Sequence, residues 1–161
     1  TLRVATIEDI PVIQQLAQII WWAAYAEILS REQIAYMLET MYSGESLRKQ
    51  IEEHQFLLCH DEREAVGFAS YSHSGQNTYK LHKIYILPDQ QGKGIGKFIM
   101  TKIIEAVQLH GAVALELNVN RRNPARTFYE GLGFTVIREE DIDIGNGYWM
   151  NDFVMRKEIA G

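Results

Sequence analysis

The chain has 161 residues, 47 % of them hydrophobic, and a net charge of −5 from 21 acidic and 16 basic side chains. That length suits a single domain over residues 1–161 with one core, and the acidic balance argues against a nucleic-acid partner while weakly favouring a cationic substrate. Cys59 is the lone cysteine, so no intrachain disulfide is available; with no apolar run near the ~18 residues of a membrane span and no signal-peptide pattern at the start, a cytoplasmic location without a membrane partner is expected.

Leu2 to Val4 reads as a short strand, with Thr6 or Asp9 capping the next helix. Ile10, Ile13, Leu16, Ala17 and Ile20 then recur at helical spacing, and Trp21, Trp22, Tyr25 and Ile28 extend the segment with aromatic side chains. Ser30 and Gln33 have the spacing of a capping box for a second helix, whose apolar face is Ile34, Met37, Leu38 and Met41. A third, short helix is predicted over Glu45 to Glu52. Three strands follow, Gln55 to His60, Ala65 to Ser72 and Thr78 to Leu87, joined by polar turns as an antiparallel meander. Beyond a glycine-rich loop, a helix runs to about Leu109 and stops at Gly111. Val113 to Val119 is a strand expected to lie parallel to the strand before that helix. A short helix from Pro124 to Glu130 and a hairpin, Phe134 to Ile142 with Tyr148 to Glu158, complete the chain. The predicted class is α/β: a mixed, mostly antiparallel central sheet with one parallel pair, flanked by helices.

The loop Gln91-Gly92-Lys93-Gly94-Ile95-Gly96 lies between a strand and a helix. Its backbone is free to curl and aim successive N–H groups at one point, and the helix start adds free N–H groups and a positive dipole end. Such a loop suits phosphate, and Lys93 and Lys97 add charge. A nucleoside-triphosphate loop is disfavoured because Lys97 is followed by Phe98 rather than a hydroxyl side chain. The dinucleotide fingerprint fails because Gly96 sits one residue too early for its third glycine.

The stretch from Leu87 to Gly96 resembles the acyl-CoA signature of the GNAT superfamily of N-acetyltransferases, with Gln91, Gly94 and Gly96 at its defining positions. A second pattern similar to the family's follows: Leu117 and Val119, then Asn123, Ala125, Phe128 and Tyr129, then Gly131-Leu132-Gly133-Phe134. The order of predicted elements matches as well, so the resemblance covers essentially the whole chain. It implies that the parallel pair splays to admit the pantetheine arm, an arrangement like strand addition. Ile84, Tyr85 and Ile86 are then expected to contact the pantetheine and acyl group, and Gly92 to Lys97 to hold the pyrophosphate. Either Asn120 or Asn123 takes the asparagine role, since the step from Asn123 to Tyr129 is one residue shorter than is usual in the family.

The resemblance also implies direct attack of a primary amine on acetyl-CoA, with Tyr129 as general acid to the departing thiolate. A phenol, with a reference pKa of about 10, keeps its proton at neutral pH. The family's carboxylate base position falls on Asn118, which cannot be a base; strand alternation puts Glu116, Asn118 and Asn120 on one face, where they can hold a relaying water. His82 and Tyr71 are alternative relays. Trp22, Tyr25 and Trp149 are candidates to line the acceptor pocket, and Asp141, Asp143 and Asp152 are candidates to meet an ammonium. The five histidines lack ligand spacing, so no metal is expected. The acceptor is a small-molecule or peptide amine, and the sequence leaves a homodimer open. A non-catalytic acyl-CoA-binding module on the same fold is the competing reading.

Overall fold

The computed structural model describes residues 1–159. Seven strands form one sheet in the order β1-β2-β3-β4-β5-β7-β6. They are β1 (Leu2–Val4), β2 (Gln55–His60), β3 (Ala65–Gly75), β4 (Thr78–Ile86), β5 (Ala114–Asn120), β6 (Thr135–Gly145) and β7 (Tyr148–Glu158). The helices are α1 (Ile10–Tyr25), α2 (Arg31–Tyr42), α3 (Gly44–Glu53), α4 (Ile95–Leu109) and α5 (Ala125–Gly131). The predicted elements are all present, with ends shifted by a few residues; β3 and β6 each run three residues further, into the turns at Gly75 and Gly145.

The helices divide between the two faces because two apolar sets leave the sheet in opposite directions. On one face α1, α2 and α3 pack Ile13, Trp21, Ile34 and Leu47 against Phe56, Leu58 and Phe68. On the other, α4 packs Ile99, Met100, Ile103 and Val107 against Leu81, Leu115, Leu117 and Met155. No helix among the described residues is long and apolar enough to cross a membrane.

Ser30 caps α2 by accepting from the Gln33 N–H at 3.1 Å. The return half of the predicted capping box is not made. The Gln33 amide instead donates to the Trp149 carbonyl at 2.9 Å, tying α2 to β7. A tertiary acceptor thus displaces a local one.

Among the described residues only β4 and β5 pair in parallel, over four residues, from Thr78 beside Ala114 to Leu81 beside Leu117. Beyond that point β4 follows β3, and β5 follows β7 as far as Asn120 beside Asp152. A register shift opposite Ser70 and Tyr71 leaves His82 as an extra residue in β4. This bulge re-aims the strand: Tyr79 and Leu81 face α4, then Ile84 and Ile86 do, while Tyr85 joins the core under α1. The facing edges of His82–Ile86 and Asn118–Asn120 do not pair with each other, and the sheet forks.

Candidate active site

The fork opens into a cleft of about 1170 Å³. Its walls come from the end of α1, the β4 segment Leu81–Ile86, the glycine loop, the β5 segment Leu117–Val119, and the start of α5. A cleft between unpaired strand edges supplies backbone N–H and C=O groups along its length, which must find partners in water or a ligand.

At one end lies the glycine loop. Gly92 and Gly94 both have φ of +81°, a left-handed conformation that a side chain strains. Gly94 is the N-cap of α4, so the first N–H groups of a 15-residue helix face the loop. Gly96 has a different requirement: a Cβ there would stand 3.2 Å from Phe128 Cζ, so its lack of a side chain lets the loop seat against α5. Gln91, Gly92, Gly94, Ile95, Gly96 and Lys97 all line the cleft. Gln91 also donates to the Ile86 carbonyl at 3.3 Å. Lys93 is not among the lining residues; its ammonium donates to the Gln90 side chain at 3.4 Å.

At the fork itself three tyrosines line the cleft: Tyr25 from α1, Tyr85 from β4 and Tyr129 from α5. The Tyr25 and Tyr85 hydroxyls are 3.2 Å apart and bonded. Tyr129 is 9 % exposed and packed edge-on against Phe128 and Phe134. Burial, with Tyr25 nearby, raises its pKa. Burial also raises Tyr25 and Tyr85, so all three remain protonated donors at neutral pH. Ile84 and Ile86 line the same wall of β4.

Of the two asparagines proposed for one role, Asn123 lines the cleft and Asn120 does not. Asn123 accepts from the Ala125 N–H at 2.9 Å. Asn120 is buried and accepts from the Arg122 N–H at 2.9 Å, shaping the turn after β5.

The three residues of the predicted relay do not converge. Asn118 lines the cleft just past the last parallel pair, between Lys80, Glu140 and Asp152. Glu116 lies four residues nearer the paired end than Asn120, outside the cleft lining, and accepts from Arg156 at 2.7 Å. The Arg156 guanidinium on β7 occupies the carboxylate that the relay needs free. His82 reaches the cleft at the bulge, is bonded to the Ser72 hydroxyl at 2.7 Å and stacks on His54 at 4.1 Å. Loss of solvent around the ring, with His54 and Lys83 alongside, lowers its pKa to about 4, which makes it a weak base. Tyr71 is buried and outside the lining.

On the acceptor side, Trp22 and Tyr25 line the cleft, with the Arg31 guanidinium 5.6 Å over the Trp22 ring. Trp149 does not line it and is 50 % exposed; its carbonyl accepts from Gln33. Asp141 is held by Arg121, and Asp143 accepts from the Gly145 N–H in the hairpin turn. A residue without a sequence signal is Arg122. Its guanidinium donates to the carbonyls of Ile28 at 2.9 Å and Glu27 at 3.1 Å, joining the β5–α5 loop to the α1–α2 loop across the cleft.

A forked parallel pair, a left-handed glycine loop at a helix start and a buried tyrosine thus line one cleft. The chain belongs to the acetyltransferase (GNAT) domain family, which matches residues 25–158. It is similar to the spermidine N(1)-acetyltransferase of Thermoplasma acidophilum, 29 % identical over 98 % of this chain and 96 % of that one. It is 30 % identical to the ribosomal protein bS18-alanine N-acetyltransferase of Haemophilus influenzae, over 73 % of this chain and 76 % of that one. Among solved structures it resembles the PaiA N-acetyltransferase of Thermoplasma acidophilum in complex with coenzyme A, with 28 % identity, a TM-score of 0.85 and 98 % of both chains covered.

Proposed function

We propose that this chain transfers an acetyl group from acetyl-CoA to a primary amine by direct attack, with Tyr129 as general acid. The observation that carries the reading is the fork: the glycine loop at one end and Tyr129 at the other line a single cleft between unpaired strand edges. The residues fit an acyl-CoA. Positive-φ glycines and the start of α4 offer N–H groups to a pyrophosphate, and the free edges of β4 and β5 offer main-chain partners to an amide-bearing arm.

Tyr129 stands ready to protonate the departing thiolate, because burial keeps its proton on. The amine sheds its proton through water at Asn118, which lines the fork and cannot itself accept one. Glu116 is not the receiving base in this reading, since Arg156 holds it away from the cleft. The family relatives named for spermidine and for a ribosomal-protein alanine support an amine acceptor, small or peptidic.

The experiment is a panel of polyamines, amino acids and a peptide with a free N-terminus, each assayed for thiol release from acetyl-CoA. At least one amine should give turnover above the rate of acetyl-CoA hydrolysis. Absence of amine-dependent release across the panel, with acetyl-CoA bound, would return the chain to a binding role.

A further inference from the structure

Asp152 on β7 is 6 % exposed. One carboxylate oxygen accepts from the Asn118 side chain at 3.2 Å. The other, Oδ1, has no hydrogen-bond partner among the described residues and is shut from bulk solvent. A buried polar atom left open is unfavourable and calls for a water or ligand that completes it. Asp152 does not itself line the cleft but stands directly behind it, bonded to Asn118, which lines the fork.

Resting on the acetyltransferase reading above, we infer that Asp152 is the proton acceptor behind Asn118, receiving the acceptor amine's proton through water at the fork. One proton passes from the ammonium through that water to the Asp152 carboxylate. The free amine nitrogen then bonds to the thioester carbonyl carbon, and the carbon–sulfur bond breaks. Tyr129 gives its proton to the thiolate, and the second amine proton restores the phenol through solvent. Asp152 releases its proton to bulk water, so one proton is freed per acetyl group transferred.

The charged groups around Asp152 come from four elements. Lys80 on β4 and Arg121 after β5 favour its ionised form, Glu140 on β6 disfavours it, and its charge opposes ionisation of the Tyr25 hydroxyl on α1. Burial is the largest influence and raises its pKa, so it ionises at higher pH than an ordinary carboxylate. The rate should therefore fall as pH drops through that raised value, while the competing carboxylate Glu116 is held by Arg156.

The test uses the full chain with the fastest acceptor of the amine panel. Asp152→Asn keeps the shape and the Asn118 contact. It should lower kcat roughly 10- to 100-fold at neutral pH, abolish the acidic limb of the pH–rate profile, and leave the acetyl-CoA affinity unchanged by calorimetry. Glu116→Gln should keep the limb. An Asp152→Asn enzyme with the parental limb overturns the inference alone; a parent enzyme without amine-dependent thiol release overturns it together with the proposed function. Should Asp152→Asn not fold, the carboxyl carbon of Asp152 in the parent, followed by NMR, must titrate at the kinetic midpoint. Titration elsewhere overturns the inference.

Discussion

On its α4 side the fork is built from backbone. Gly92 and Gly94 hold positive φ, Gly96 makes room for Phe128, and the free edges of β4 and β5 present main-chain groups. On its α1 side it is built from side chains of distant origin: Trp22, Tyr25, Asn118, Arg122 and, behind them, Asp152. The first side suits a partner of fixed chemistry, since every acyl-CoA carries the same pyrophosphate and pantetheine. The second can change residue by residue, as an acceptor site must when one fold serves different amines. Losses on the backbone side should thus appear in acetyl-CoA affinity, and losses on the side-chain side in turnover and amine dependence.

The largest expected effect lies where the two sides meet. Tyr129→Phe keeps the ring against Phe128 and Phe134 and removes only the proton. Steady-state kinetics should show kcat down roughly 10²-fold with the KM for acetyl-CoA nearly unchanged. A near-parental kcat would make Tyr129 a packing residue.

Gly94→Val tests the backbone side. With φ at +81°, a β-branched residue there strains the turn that opens α4. Calorimetry should show acetyl-CoA affinity weakened at least tenfold, about 1.4 kcal/mol. An unchanged affinity in a folded variant would separate the loop from the cofactor.

Arg122→Ala tests the side-chain side. It removes both bonds from the β5–α5 loop to Ile28 and Glu27. The KM for the amine should rise about three- to tenfold, in line with losing hydrogen bonds from a charged group, and that for acetyl-CoA should rise less. A larger effect on acetyl-CoA would assign the strap to the other side of the fork.

Glu116→Gln should do least. It removes an ion pair with Arg156 that is only partly buried, worth about 1 kcal/mol or less. Turnover should change by less than about twofold, with a small fall in melting temperature. A tenfold loss would restore Glu116 as the relay base.

The backbone side was legible in the sequence because its determinants are local. Glycine spacing, the strand before it and the helix after it all fall within Ile84 to Lys97. The second motif, from Leu117 through Tyr129 to Phe134, is equally compact. The other side depends on pairings that local pattern does not encode. Lys80 meets Asn118 across 38 residues, and Asn118 meets Asp152 across 34. Alternation correctly set Glu116 and Asn118 on one face, but it did not show that β7 lies beside β5 and brings Arg156 onto Glu116. Trp149 has the aromatic character of a pocket residue, yet its place in β7 leaves the ring half in solvent. The bulge at His82, which turns Tyr85 toward α1, had no glycine or proline to announce it.

Amide hydrogen exchange on the full chain, with acetyl-CoA alone and then with acetyl-CoA and the best amine of the panel, bears most directly on the two-sided fork. Acetyl-CoA alone should slow exchange at His82–Ile86 of β4 and at Gly92–Lys97, where unpaired edges and the start of α4 meet the cleft. The amine should add protection at the α1–α2 loop, Ala26–Leu29, without altering the first set. Saturating acetyl-CoA that protects neither β4 nor the glycine loop would refute the placement of the acyl donor in the fork.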